Sequence, residues 1–174
     1  GFIYGITAPS GTGKTTLLNL IGNILKPAQG EIETDFKTGI AYVFQEPELL
    51  SQLTIAENIA LPLATYLKKE IAFEQAISIL QKMELGGFEN RFPNELSFGQ
   101  QQRAAIARAL TYPSPLLLMD EPFKGLDEAL SRRIIKRIRE RQTENGQTIL
   151  FTSHNPGELR LFADKTVRLD PTSH

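Results

Sequence analysis

A short run near the start of the chain, residues 8–16 (APSGTGKTT), combines glycines, a lysine and hydroxyl side chains. Gly11 and Gly13 permit positive φ and close approach of the backbone, so successive N–H groups can surround an anion. The Lys14 ammonium would reach the β- and γ-phosphates of a nucleotide, and the Thr15 hydroxyl would bind Mg²⁺. The run predicts a phosphate-binding loop; the alternative is a glycine-rich turn between a strand and a helix.

Two carboxylates follow a second apolar segment, Leu116–Met119. In open α/β sheets, ligands bind at the carboxyl ends of the strands. Asp120 is therefore expected beside the Thr15 hydroxyl, where Mg²⁺ would bind. Glu121 would face the γ-phosphate and orient a water molecule. Without the phosphate loop, the same residues would suit a solvated acidic turn.

Gln45 and His154 also come at the ends of predicted strands, Ile40–Phe44 and Thr148–Thr152. The Gln45 amide could contact Mg²⁺ or its water, or it could cap the end of its strand. His154 could donate to a γ-phosphate oxygen, or it could be an ordinary surface histidine at a turn.

The segment Leu96–Arg103 predicts the start of a helix, in which Ser97 and Gln100 have the spacing of a capping box. That reading leaves Gly99 unexplained, because glycine in a helix costs about 1 kcal/mol against alanine. A ligand that approaches the helix N-terminus closely would explain it. The Ser97 hydroxyl, the Gly99 N–H and the helix dipole would then form an anion site.

The elements that must position these residues alternate between strands and helices, which predicts an α/β sandwich with a parallel sheet. Between Pro47 and Tyr112 the pattern is helical throughout, which indicates an inserted helical lobe. The predicted strands are Phe2–Thr7, Ile40–Phe44, Leu116–Met119, Thr148–Thr152 and Thr166–Leu169, and the predicted helices are Lys14–Leu25, Ile55–Leu67, Ile71–Met83, Gln100–Leu110, Glu128–Thr143 and Pro156–Phe162.

The composition of the chain excludes several kinds of metal site and catalytic group. The 174 residues suit one domain, and 41% apolar content suffices for its core. The absence of cysteine excludes disulfides, thiolate metal sites and cysteine nucleophiles, and two histidines exclude a multi-histidine metal site. No apolar run has the length of a membrane span and no signal-peptide pattern opens the chain, so we expect a cytosolic protein. The start at Gly1 indicates processing or an excised fragment.

Six basic residues crowd the segment 132–141. A nucleic-acid patch is one interpretation. Ile134, Ile135 and Ile138 supply a buried stripe on the same segment, which favours the solvated face of an amphipathic helix.

Taken together, the chain resembles an ATP-binding cassette (ABC) ATPase, because six motifs fall in the family's order: the phosphate loop at 8–15, Gln45, the signature Leu96–Gln100, Asp120-Glu121, Gly125-Leu126-Asp127 and His154. The stretches 43–50 (VFQEPELL) and 53–58 (LTIAEN) look like bacterial importers, most similar to the nitrate, sulfonate and taurine type.

The resemblance implies a P-loop NTPase (RecA-like) fold with a nucleotide-binding core at 1–46 and 113–174 and a helical signature subdomain at 47–112. It implies that the loop from Ser10 through Thr12 to Lys14, Thr15 and Thr16 holds ATP, with Gln45 and Asp120 completing the metal shell. Glu121 would be the base or water-positioner, and His154 would contact the γ-phosphate. Ser97, Gly99 and Gln100 would serve the ATP of the opposite subunit, with Asp127 at the dimer seam.

The chain departs from the family pattern at several positions. Ala8 replaces a usual glycine, Phe98 replaces a common glycine in the signature, and Gly125 stands where alanine or serine is frequent. Family members also carry strands and an adenine-stacking aromatic upstream of the phosphate loop, so we expect a core that lacks those strands.

The leading hypothesis is the ATPase subunit of a membrane importer, working as a homodimer or a paired cassette that closes on two Mg-ATP. It would be cytoplasmic and peripheral at the inner face of the membrane through a separate permease, with no direct nucleic-acid partner. The alternatives are a soluble ABC ATPase that acts on nucleic acid or ribosomes, and a nucleotide-binding module without turnover.

Overall fold

The computed structural model describes residues 1–9, 11–33 and 39–169. Within these ranges a parallel five-stranded sheet has the order β2-β3-β4-β1-β5, so the predicted α/β class is confirmed. The strands are β1 (Ile3–Thr7), β2 (Ala41–Val43), β3 (Leu116–Asp120), β4 (Thr148–Thr152) and β5 (Lys165–Arg168).

Six α-helices accompany the sheet in the described part of the chain, and two short 3₁₀ turns lie at Leu63–Thr65 and Pro93–Glu95. No strand is found between β2 and β3 in that part. The helices are α1 (Lys14–Ile21), α2 (Ile55–Ala60), α3 (Lys69–Lys82), α4 (Phe98–Thr111), α5 (Glu128–Asn145) and α6 (Pro156–Phe162).

The two faces of the sheet are covered by different helices, as expected for a sandwich. Alternate residues of β3 point to opposite faces because side chains alternate along a strand. Leu117 and Met119 belong to the larger core cluster, which contains residues of α2 to α5. Leu116 and Leu118 pack on the other face with Leu18 of α1.

Two predicted helices end earlier than expected, for identifiable reasons. α1 stops at Ile21, because Gly22 follows as the C-cap and Asn23 adopts a φ of 56°. α2 stops at Ala60, and Pro62 cannot supply the N–H that a further helical hydrogen bond would need. The chain then continues as the 3₁₀ turn.

Helix ends elsewhere follow the capping residues. Thr54 and Glu57 form a complete capping box at α2, and Asp127 accepts from Leu130 N at the start of α5. α5 ends at Asn145, and Gly146 follows with a φ of 67°, the left-handed conformation typical after a helix. No helix in the described ranges combines the length and apolar character of a membrane span.

Candidate functional site

The phosphate loop joins β1 to α1, as the sequence predicts. Gly11 and Gly13 have φ values of 80° and 88°, which alanine would adopt only with strain. Thr12 closes the turn, since its hydroxyl donates to Pro9 O at 2.7 Å. Thr16 lies exposed in the first turn of α1. Ser10 falls outside the described residues.

Lys14 is the first residue of α1 and is only 7% exposed. Its ammonium folds back over the loop and donates to Ala8 O at 3.0 Å and to Pro9 O at 3.3 Å. Among the described residues this buried ammonium has only carbonyl acceptors and no ion pair, although a buried charge is costly without a counter-charge. An anion inside the loop would supply that charge, in the place predicted for the β- and γ-phosphates.

Asp120 lies directly beside Thr15, as predicted. The Thr15 hydroxyl donates to Asp120 Oδ2 at 2.6 Å across 105 residues of sequence. Asp120 is 2% exposed and ends the buried strand β3. The two side chains thus meet at the carboxyl edge of the sheet.

A second hydroxyl, that of Thr152, completes this cluster and was not predicted from the sequence. It donates to Asp120 Oδ1 at 2.6 Å and accepts from Glu121 N at 2.9 Å. Thr152 is fully buried and lies in register with Asp120 on one side and Ile6 on the other. The only signal in the sequence is its place at a predicted strand end, since threonine is a common strand residue.

The donor set of this edge fits Mg²⁺. A hydroxyl and a carboxylate oxygen are hard ligands, and Mg²⁺ is held by one or two carboxylates together with waters and substrate phosphates. Among the described residues no cluster of three His, Cys, Asp or Glu side chains could enclose a metal. A site of this kind therefore depends on phosphate oxygens of the nucleotide for the rest of its shell.

Glu121 and His154 are brought together, although the sequence treated them as separate contacts to the γ-phosphate. His154 Nε2 lies 2.7 Å from Glu121 Oε1. Glu121 has a φ of 45°, uncommon for a residue other than glycine. The bond from its N–H to Thr152 holds that conformation in place.

The turn that carries His154 is fixed by two neighbours. The Ser153 hydroxyl donates to Glu158 Oε2 and accepts from Asn155 N at 3.0 Å. Burial raises the pKa of the Glu158 carboxyl, and the nearby charge of Glu121 acts in the same direction. Glu158 is a second residue that sequence patterns did not single out, because glutamate is ordinary in the first turn of a helix.

Gln45 lies exposed two residues beyond β2. β2 pairs with β3 in parallel, with Val43 in register with Met119, so Gln45 follows β2 at the same carboxyl edge of the sheet at which Asp120 ends β3. Its amide makes no hydrogen bond in the described part of the chain. Its predicted contact with the metal or its water stays a prediction.

The signature segment forms the capping box that the sequence predicts. Gln100 Oε1 accepts from Ser97 N at 2.8 Å, and Ser97 Oγ accepts from Gln100 N at 3.4 Å. No described hydrogen bond joins Ser97 or Gly99 to the phosphate loop of the same chain. Their predicted role toward a second subunit's nucleotide, with Gln100 and Asp127, stays a prediction.

Gly99 has a reason for being glycine that requires no ligand. A Cβ at this position would lie 2.6 Å from the carbonyl oxygen of Gly125. The absence of a side chain therefore cannot by itself indicate an approaching phosphate. The Phe98 ring, which replaces a common glycine of the signature, packs on Gly125 of its own chain.

The basic residues of α5 are engaged with acidic or carbonyl partners, which favours the predicted solvated helix face over a nucleic-acid patch. Arg141 donates to Leu110 O. The ion pairs are Arg132 with Glu128, Arg133 and Arg137 with Glu84, Lys136 with Glu140, and Arg139 with Asp164.

Two family models match parts of the chain. A family model described as ABC transporter matches residues 1–124. A second, described as AAA domain, putative AbiEii toxin, Type IV TA system, matches residues 89–160.

Among curated relatives, the thiamine import ATP-binding protein ThiQ of Shigella flexneri serotype 5b (strain 8401) is 37% identical, over 93% of this chain and 74% of ThiQ. The sulfate/thiosulfate import ATP-binding protein CysA 1 of Agrobacterium fabrum is 35% identical, over 96% of this chain and 52% of CysA 1. The more specific likeness to nitrate, sulfonate and taurine importers stays a prediction.

Solved structures of an ATP-binding cassette also match this chain. The ATP-binding cassette MJ0796, a dimer in a post-hydrolysis state bound to ADP and phosphate, has a TM-score of 0.87 and 34% identity, over 98% of this chain and 82% of that chain. A second dimeric structure of MJ0796 has a TM-score of 0.86. With the phosphate loop and acidic strand end described above, these matches establish that the chain belongs to the ABC transporter family, as an ATP-binding cassette ATPase.

Proposed function

We propose that two copies of this cassette close on two Mg-ATP and use hydrolysis to power import through a separate permease. The observation that carries the proposal is the meeting of Thr15, Asp120, Glu121 and His154 at one sheet edge beside the phosphate loop. The relatives named for import support the transport role. The cassette would then lie at the cytoplasmic face of the membrane through its permease.

Phosphate binding is assigned to the loop backbone and to Lys14. The ammonium would exchange its two carbonyl contacts for β- and γ-phosphate oxygens, which are stronger acceptors because they are charged. The positive end of the α1 dipole points at the same anion. Bound Mg²⁺ would neutralise developing phosphate charge, and Thr15, Asp120 and Gln45 would hold it.

Water activation is assigned to Glu121. Its carboxylate would accept a proton from, or orient, the water that attacks the γ-phosphoryl group. His154 would hold the Glu121 carboxylate in its present rotamer and donate to the γ-phosphate. Thr152 would hold both acidic residues in place, because its hydroxyl donates to the Asp120 side chain and accepts from the Glu121 backbone N–H.

The second half of each site is assigned to Ser97 and Gly99 of the opposite subunit, with Asp127 at the seam. In the described contacts the N-terminal end of α4 makes no hydrogen bond with the phosphate loop of its own chain. A helix N-terminus with an exposed capping hydroxyl suits an anion delivered by another molecule.

Two other functions are less well supported. An ATPase acting on nucleic acid would need free basic groups, but α5 uses its cations in contacts within the chain. A module without turnover would not need the contact between Glu121 and His154.

The direct test is steady-state phosphate release by the full-length chain with ATP, with and without Mg²⁺. The proposal requires Mg²⁺-dependent release that is lost in Lys14→Ala. ATP binding without release would instead support the module without turnover.

A further inference from the structure

The N-terminal turn of α4 lies directly against the segment that follows Glu121. A Cβ on Gly99 would be 2.6 Å from Gly125 O, and a Cβ on Gly125 would be 2.7 Å from Phe98 Cδ1 and 3.1 Å from its Cε1. Carbon atoms pack at about 3.5–4.0 Å, so neither position has room for a side chain. The N-terminal turn of α4, at Phe98 and Gly99, therefore packs tightly against Gly125.

This contact continues toward the residue that follows Gln45. Lys124 Nζ lies 5.6 Å from the centroid of the Phe98 ring, within the range of a cation–π interaction. The same ammonium lies 3.2 Å from Glu46 Oε1. The ion pair is exposed and contributes little alone, so the packing of the ring on Gly125 is the main constraint.

The segment between Glu121 and Asp127 is itself compact. Lys124 N donates to Glu121 O and Leu126 N donates to Phe123 O, both at 3.1 Å. Phe123 is 2% exposed within the larger core cluster. Because these turns are short and anchored in the core, the position of Gly125 follows closely from that of Glu121.

We propose that Phe98 is a positioning residue that sets Ser97 and Gly99 at a fixed place relative to Glu121. The ring packs on Gly125, and the missing Cβ there makes room for it, so the two departures from the family pattern form a matched pair. The inference rests on the proposed function, in which Ser97 and Gly99 serve the nucleotide of the opposite subunit.

The test compares wild type, Phe98→Ala, Gly125→Ala and the double variant in the full-length chain, with each rate divided by the folded fraction. Gly87→Ala is the matched control, because Gly87 has a φ of 91° and a Cβ added there would have no atom within 4 Å. This control measures how much kcat changes when alanine is placed at a positive φ where its Cβ meets no other atom. Each variant is assayed for kcat, KM and equilibrium ATP affinity.

Gly125→Ala is expected to lower kcat on the order of 10-fold or more, since small displacements of a catalytic group are costly. Phe98→Ala should also lower kcat, and adding Gly125→Ala to it should cost little more, because the clashing ring is gone. ATP affinity of the monomer should stay within about twofold, as the phosphate loop is untouched. Gly87→Ala should keep the wild-type kcat.

Two results would overturn the inference, and they are distinguishable. If wild type hydrolyses ATP and both single variants keep its kcat, the ring has a packing role only, and the proposed function stands. If wild type binds no ATP and releases no phosphate, the proposed function fails and the inference falls with it. Should Gly125→Ala not fold, the kcat of Phe98→Ala decides alone.

Discussion

The Thr152 hydroxyl donates to Asp120 Oδ1 at 2.6 Å while accepting from the backbone of the next residue, Glu121. One buried hydroxyl thus orients the proposed metal ligand and holds the backbone of the proposed water-positioning residue. The strand register places it there, because Thr152 pairs with Asp120 across the sheet.

Thr152→Val should lower both stability and turnover. Valine keeps the shape but leaves a buried carboxylate oxygen and an N–H without a partner, at a cost of about 1–3 kcal/mol. Urea unfolding and steady-state kcat measure the two effects. Thr152→Ser is the control, since it keeps the hydroxyl and should retain kcat; a Thr152→Val protein with wild-type kcat would remove the orienting role.

Lys14→Ala should weaken ATP binding by a factor of about 10 to 150. The ammonium supplies a charge-assisted contact, typically about 1.5–3 kcal/mol. Equilibrium titration with a labelled ATP analogue measures the change. Lys136→Ala, on the exposed side of α5, should bind normally. Unchanged affinity in Lys14→Ala would contradict the phosphate-loop assignment.

Glu84→Gln should destabilise the protein at pH 7 and progressively less at acidic pH. The bond from Arg133, opposed by a smaller effect of burial and aided by the charge of Arg137, holds the pKa of Glu84 below its ordinary value. A lowered carboxyl pKa stabilises the fold fully above the unfolded pKa of about 4.3, and that stabilisation is lost as the pH falls through the folded pKa.

Urea midpoints of wild type and Glu84→Gln between pH 7 and pH 3 measure this effect. Glu74→Gln, an exposed residue of α3, the helix that ends shortly before Glu84, serves as the control and should show a much smaller difference at pH 7. A Glu84→Gln difference that grows as the pH falls would contradict the stated role of the ion pairs.

Ser97→Arg should leave ATP binding by the monomer intact and block turnover by the dimer. Mixing it with Lys14→Ala should restore activity, because one site of the heterodimer then has two intact halves. With random pairing, about a quarter of the wild-type sites return. Activity should also rise more steeply than linearly with protein concentration. A mixture as inactive as its components would exclude a composite site.

Much of the site was predictable because its residues follow local patterns. Gly11, Gly13 and Lys14 stand in one short loop, and Asp120 ends an apolar strand. In a parallel sheet, strand ends meet at one edge. The capping box of Ser97 and Gln100 is likewise a local relationship over three residues.

The parts of the site that the sequence did not predict depend on contacts between distant segments of the chain. The sequence attributed Gly99 to a ligand, whereas the structure gives it a neighbour 26 positions along the chain, at Gly125. Thr152 looked like an ordinary strand residue until its register with Asp120 was known. Glu84 pairs with Arg133 and Arg137 of α5, which are 49 and 53 positions along the chain. The periodicity of the sequence does not indicate pairs so far apart.

The central claim, that Glu121 drives hydrolysis inside a dimer closed on ATP, is tested most directly by one measurement on Glu121→Gln. The amide keeps the shape of the side chain but is a far weaker base. Size-exclusion chromatography with Mg-ATP, with the nucleotide content of each peak determined, should show a dimer that retains unhydrolysed ATP. A Glu121→Gln protein that stays monomeric with ATP, or that elutes with ADP after wild-type turnover, would contradict the account.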